Sequence, residues 1–366
     1  MGAAGVELVA VATSLLTRRL DRWEGTVKRP ERTNHSRQDR RDPVIVEARP
    51  SARTLGLVEI LAEVVRSGLV ESRHRGVAVR VDPGGEVSWS LGDPGTVIFP
   101  RSANKPLQAM GMLRAGLPLD GRLLALASAS HSGEPFHLDA VREILALAGL
   151  DESALQTPPS YPLDPHVHAD HLRAGGVREP IYMDCSGKHA AMLLTCAVNG
   201  WDTSTYLEPD HPLQQAFTTT FTELTDGPPA VVGTDGCGAP LLATPLQQLA
   251  RAIGRIVQEP AGSHGARLVG AMREHPEYVS GTGRAERELM LAFPGLVAKS
   301  GAESVYVVGL VDGSALALKI EDGAERPLYA VMARMLELAG LDAPILHERP
   351  RVLGGGKQVG EVRTAF

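Results

Sequence analysis

An α+β fold follows from where two kinds of segment fall along the 366 residues. Alternating β-formers gather near the start and again near the end, and helical periodicity fills the stretch between them. With 43% hydrophobic residues the chain can bury one large core or two intimate ones. Terminal strands closing one sheet against a helical layer is the arrangement these segments favour.

In chain order, residues 1–55 are dense in Arg, Asp and Pro and lack sustained periodicity, so they are set apart as a basic, disordered leader. Order begins near Leu57, and residues 56–366 form the folded domain. Residues 58–65 suit a strand or a short helix equally. Residues 76–81 read as a strand, Asp82-Pro83-Gly84-Gly85 as a turn and 86–90 as the returning strand. Helices are predicted over 102–115, 135–148, 186–198, 212–224, 245–257 and 267–274. Strands over 304–311 and 315–320 flank the turn Asp312-Gly313, and a helix near 327–338 follows.

Charge and composition exclude several classes of partner. No apolar run approaches the roughly 20 residues of a bilayer span. The nearest, 8–16, has Glu7 before it and Arg18 and Arg19 after it, the reverse of a secretory signal. A cytoplasmic protein without a membrane partner is expected. Residues 1–53 hold 11 basic and seven acidic side chains, a charge of +4, which leaves −10 on the rest of a chain whose total is −6. A body that acidic repels a phosphate backbone, so no nucleic-acid partner is expected. Three cysteines, Cys185, Cys196 and Cys237, make no disulfide framework. Only six of the 37 basic residues are Lys. A retained Lys is therefore enriched for work that needs an amine able to lose its proton, which Arg cannot do.

Three of those lysines sit in short motifs. Ser102-Ala103-Asn104-Lys105 is a Ser-x-x-Lys at a predicted helix start. Its i, i+3 spacing puts a nucleophilic hydroxyl and an amine base on one face, beside helix N–H groups suited to an oxyanion. Ala129-Ser130-His131-Ser132-Gly133 is a hydroxyl-rich turn before a helix, and Lys299-Ser300-Gly301 lies on a strand-like stretch. Capping or solvation explains each one alone. In that order the three match the arrangement of penicillin-recognising serine enzymes and point to Ser–Lys acyl chemistry. A fourth cluster pairs Cys185-Ser186-Gly187-Lys188-His189 with Asp235-Gly236-Cys237-Gly238. Two thiolates suit zinc but cannot close a site, so Lys188 or His189 would have to contribute; two buried free thiols is the alternative. His166, His168 and His171 also admit a metal, but their segment reads as a solvated loop.

Together with 65–72 (Val-Arg-Ser-Gly-Leu-Val-Glu-Ser), Pro100-Arg101-Ser102 through Gln108, and Asp235 through Pro240, these motifs resemble the asparaginase II family, the rhizobial-type L-asparaginases, over about residues 57–350. The resemblance implies a fold like that of serine β-lactamases and penicillin-binding proteins, an antiparallel sheet packed with helices, as a homodimer. It implies hydrolysis of L-asparagine to L-aspartate and ammonia by a domain spanning 56–366. The family's Ser–Lys tandems fall on Ser102 with Lys105 and on Ser130 with Lys299, Ser132 being the other candidate for the second serine. Its zinc ligands fall on Cys185, Lys188 and Cys237. Arg101 and His189 are candidates for gripping substrate carboxylate or amide. Two positions depart from the family pattern: Asp184 stands where Asn is usual, and Ala191 where Gly is usual. A carboxylate at 184 bears on substrate preference. A related serine amidase, a glutaminase, a β-lactam-type hydrolase and a catalytically silent binding module are the competing readings.

Overall fold

The structure, a computed structural model, describes residues 56–347 and 351–366. The leader predicted over 1–55 lies outside the described residues. Strands β1 (Glu59–Arg66), β2 (Leu69–Val81) and β3 (Val87–Leu91) run first as a meander, followed by the two-residue β4 (Val97–Ile98). A 3₁₀ turn, Arg101–Asn104, then leads into the helical part. Its helices are α1 (Lys105–Arg114), α2 (Gly121–Ala127), α3 (Pro135–Leu147), α4 (Pro165–Arg173), α5 (Ser186–Asn199) and α6 (Pro212–Leu224). Short strands β5 (Val232–Thr234), β6 (Pro240–Leu242) and β7 (Thr244–Pro245) precede α7 (Leu246–Gln258), α8 (His264–Glu274), α9 (Pro276–Val279) and α10 (Ala285–Ala292). The chain returns to the main sheet with β8 (Val297–Gly301), β9 (Val305–Gly309) and β10 (Ala315–Ile320). After α11 (Leu328–Leu338) and α12 (Pro344–His347) it adds β11 (Val352–Gly354) and β12 (Lys357–Thr364).

The main sheet has the order β11-β12-β1-β2-β10-β9-β8, with β3 along the second half of β2, and every pairing in it is antiparallel. The architecture is α+β. Strands β9 and β10 are buried along their whole length because helices cover both faces of the sheet. Val257 and Ile253 of α7 meet Gly309, whereas Tyr306 on the alternate face meets Tyr329 of α11. Burial on both faces explains why these strands read as continuous apolar runs. Lys299 pairs in register with Val307, on the α7 side, so β8 aims its amine into the helical layer.

Several expectations need correction. Residues 58–65 are strand, because β1 finds partners on both edges, β2 and β12. The helix predicted from Ser102 begins at Lys105, after the 3₁₀ turn. The segment with His166, His168 and His171 is the helix α4, not a loop. Asp164 caps it by accepting the N–H groups of His166 and Val167, each at 2.9 Å, and Pro165 occupies the first helical position. Among the described residues no helix is long and apolar enough to cross a membrane.

Candidate active site

Ser102 sits in the 3₁₀ turn just after Pro100 and Arg101. With three residues per turn, Ser102 and Lys105 line up along the same edge, and the Ser102 N–H belongs to the turn's free N-terminal end. Arg101 holds φ at 52°, a left-handed conformation that costs a non-glycine residue free energy. The end of β8 presses on this turn. A Cβ on Gly301 would lie 2.6 Å from the Pro100 carbonyl oxygen and 2.9 Å from the Ala103 nitrogen, so the Lys-Ser-Gly run needs its glycine here.

Behind the turn, Lys105 and Lys299 converge on one hydroxyl. Lys105 Nζ donates to Ser130 Oγ at 2.9 Å and also to the Ala129 carbonyl. Lys299 Nζ donates to the same Ser130 Oγ at 3.1 Å and to the Ser300 carbonyl at 2.7 Å. Both lysines are almost wholly buried, at 1% and 2% exposure. Ser132 takes no part in this cluster and donates to Glu134 Oε2 at 2.7 Å. Burial, then the neighbouring Lys105, pull the Lys299 amine down to about 7, with Glu286 and Asp184 opposing them. Asp184 Oδ2 lies 3.7 Å from Lys105 Nζ. Burial raises the Asp184 pKa, but the charges of Lys105, His131 and Lys299 outweigh it and hold the carboxyl below its ordinary value.

The loops that carry these groups are bonded to one another. Ser130 N–H donates to the Val279 carbonyl and His131 N–H to the Asp184 carbonyl, each at 3.0 Å. The buried His131 ring places Nε2 2.8 Å from Ser186 Oγ, which itself donates to the Ile181 carbonyl at 2.7 Å. Since Ser186 has spent its proton, His131 Nε2 is the donor. Burial keeps that imidazole neutral, well below its ordinary pKa. Nothing in the sequence beyond its place beside Ser130 marks this tie between the serine loop and the start of α5.

Ser102 and Ser130 line a cleft of about 340 Å³, with Asp184, Cys185, Asp235 and Cys237 on its wall. Arg101 also lines the cleft, and its Nε donates to Asp235 Oδ1 at 2.7 Å. His189 is placed differently. Wholly buried, it is absent from the cleft wall, with Nδ1 hydrogen-bonded to the Tyr206 hydroxyl at 2.8 Å and its ring against Cys237. The side chain predicted to grip substrate therefore supports the cysteine pair from beneath.

Cys185, Lys188 and Cys237 come together at the first turn of α5. Lys188 Nζ lies 3.2 Å from Cys237 Sγ, and the Cys185 thiol bonds the same sulfur. That hydrogen bond from Cys185, together with the Lys188 ammonium, draws Cys237 far below its ordinary value, while Cys185 is pushed up. Two sulfurs and an amine in one buried pocket are a soft donor set that fits zinc, with one coordination position left over. Among the described residues no three His, Cys, Asp or Glu side chains form such a group, and the Lys188 amine, 3.2 Å from Cys237 Sγ, is the nitrogen that would complete a set of three. Cys196 stays a buried free thiol. Two of the three α4 histidines have other partners: His168 stacks on Tyr161 at 4.7 Å, and His171 Nε2 donates to the Val177 carbonyl at 2.8 Å, while His166 is exposed.

Among curated proteins none matches this sequence. Among solved structures, similar chains include a β-lactamase from Mycobacterium bovis, at 16% identity over 73% of this chain and 95% of that one, with a TM-score of 0.43. A Bacillus glutaminase is similar at 12% identity over 73% of this chain and 91% of its own, with a TM-score of 0.32. Residues 62–364 match the family described as L-asparaginase II. That span takes in the Ser102 turn, the Ser130 loop, both cysteines and Lys299, and so the chain belongs to the L-asparaginase II family and with it to the amidohydrolases.

Proposed function

We propose that the protein hydrolyses the side-chain amide of L-asparagine, releasing L-aspartate and ammonia, through a seryl ester on Ser102. The observation that carries this reading is Ser130 Oγ held between two buried lysine amines, 2.9 and 3.1 Å away, beside the cleft that Ser102 lines. An amine with its pKa near 7 is half neutral at neutral pH and can accept a proton. Lys105 passes a proton through the Ser130 hydroxyl to Lys299, and the neutral Lys105 then takes the Ser102 proton. Ser102 Oγ bonds to the amide carbon, and the oxyanion is met by the Ser102 N–H. The C–N bond breaks as Ser130 gives its proton to the departing nitrogen and takes one back from Lys105, and ammonia leaves. Water then adds to the ester as Lys105 takes its proton, and the Ser102–carbon bond breaks as Lys105 returns a proton to Ser102 Oγ, freeing L-aspartate.

Cys185, Lys188 and Cys237 would hold zinc at one wall of this cleft. Bound there, zinc supplies a fixed positive charge that orders the cysteine and Asp235 loops and attracts substrate carboxylate or amide oxygen.

Ammonia release from L-asparagine and L-glutamine, and cleavage of a chromogenic β-lactam, measured on one purified sample, test the assignment. Turnover of asparagine is expected to exceed that of the other two. A β-lactam preference moves the protein to the penicillin-type hydrolases, and no turnover with intact ligand binding makes it a binding module. Elemental analysis of the same sample is expected to find about one zinc per chain, lost in Cys237→Ala. Active protein free of zinc refutes the metal site.

A further inference from the structure

Two guanidinium groups line the cleft, Arg101 and Arg284. Arg101 is ion-paired to Asp235. Arg284 has no comparable engagement: among the described residues its guanidinium makes no hydrogen bond, and its Nε lies 4.0 Å from Glu286 Oε2. Glu286 is itself buried, at 1% exposure, and already accepts the Ser300 hydroxyl. It holds Arg284 by charge and leaves the two-pronged end of the side chain, 31% exposed, to the cleft.

The backbone under Arg284 is fixed to the same loop that carries Ser130. Glu134 Oε2 accepts the Thr282 N–H at 2.9 Å and the Ser132 hydroxyl at 2.7 Å, and the Val279 carbonyl accepts the Ser130 N–H at 3.0 Å. Gly281 has to be glycine there, with φ at 144° and a Cβ that would fall 1.9 Å from Ser132 Oγ. A cation so placed keeps a set distance from the reacting serines. Ser132, the serine the lysines do not use, thus acquires a role in setting that distance.

We infer that Arg284 is the specificity-determining residue that receives the α-carboxylate of the amino-acid substrate, with Glu286 and Glu134 as its positioning residues. The inference rests on the asparaginase reading for the identity of that substrate. A planar carboxylate matches the guanidinium fork. Asp184, Asp235, Glu303 and Glu325 line the same cleft and complement the α-ammonium.

The test compares L-asparagine with 3-aminopropanamide, which is asparagine with hydrogen in place of its carboxylate. With both substrates measured on the pH plateau above the Lys299 limb, which Arg284 itself helps to place, Arg284→Gln should lower kcat/KM for asparagine about 100-fold, mostly through KM, and leave that for 3-aminopropanamide within about 2-fold. Arg284→Lys, which keeps charge and loses the fork, should fall about 10-fold. Equal losses on both substrates, or none on asparagine, overturn the assignment. Calorimetric titration of L-aspartate into the wild type and both variants separates this from the reaction assigned above. Weakening of at least about 10-fold in Arg284→Gln supports the carboxylate receptor even if the wild type proves inactive on asparagine. Unchanged binding, or none to the wild type, refutes it. Matching melting temperatures confirm that the variants are folded.

Discussion

Ser102→Ala is expected to lower ammonia release from L-asparagine by at least about 10³-fold, because a seryl ester cannot form without the hydroxyl. The substitution should be gentle on the fold. Ser102 is half-buried on the cleft wall, and its hydroxyl closes no network comparable to that of Ser130. The zinc content and melting temperature should therefore match the wild type. Steady-state kinetics with electrospray mass spectrometry checks the claim: the wild type mixed with a slow amide or ester should gain the acyl mass, and the variant should not. Retention of even a tenth of the activity in Ser102→Ala would move the nucleophile elsewhere.

The second large effect concerns Lys299 and has a pH signature. Burial and the adjacent Lys105 bring its amine to about 7, so its neutral fraction climbs through neutrality as protons are withdrawn. If the neutral amine is the proton acceptor, kcat/KM should rise with pH through that value and level off about one unit above it. The groups facing it, Lys105, Glu286, Asp184 and Arg284, set where that limb lies. Lys299→Arg places a group that stays ionised in the same pocket, and a loss of about 10²–10⁴-fold is expected, with the rising limb gone. A pH profile that keeps the limb in Lys299→Arg assigns it to a different group.

The residues legible in the sequence were those whose chemistry demands an unusual neighbour. Lys105 and Lys299 stood out because lysine is scarce in this chain, and Ser130 because it lies in a hydroxyl-rich turn before a helix, its choice over Ser132 resting on the family resemblance. What spacing cannot convey is direction. Lys105 shares an edge with Ser102, yet its hydrogen bonds go to Ser130 and Ala129. Arg284 was invisible for the opposite reason: in a chain with so many arginines, no local pattern separates one that faces a cleft from those on the surface. The helix over the histidines is written in Asp164-Pro165, a cap followed by a first-turn proline, although the residues after it carry no apolar stripe. Strand β12 was missed because it alternates half-buried and exposed positions among polar residues, and its place in the sheet comes from β1.

The pairing of β1 with β12, in which Ala62 faces Thr364, ties together segments about 300 residues apart, and Gly301 of β8 must meet the Ser102 turn across about 200. Closing loops of that length is entropically slow, and such contacts form late on a folding pathway. A nascent chain would thus carry its serine and first lysine long before it has a working centre. Catalytic competence should appear abruptly with the last strands, leaving shorter chains inert.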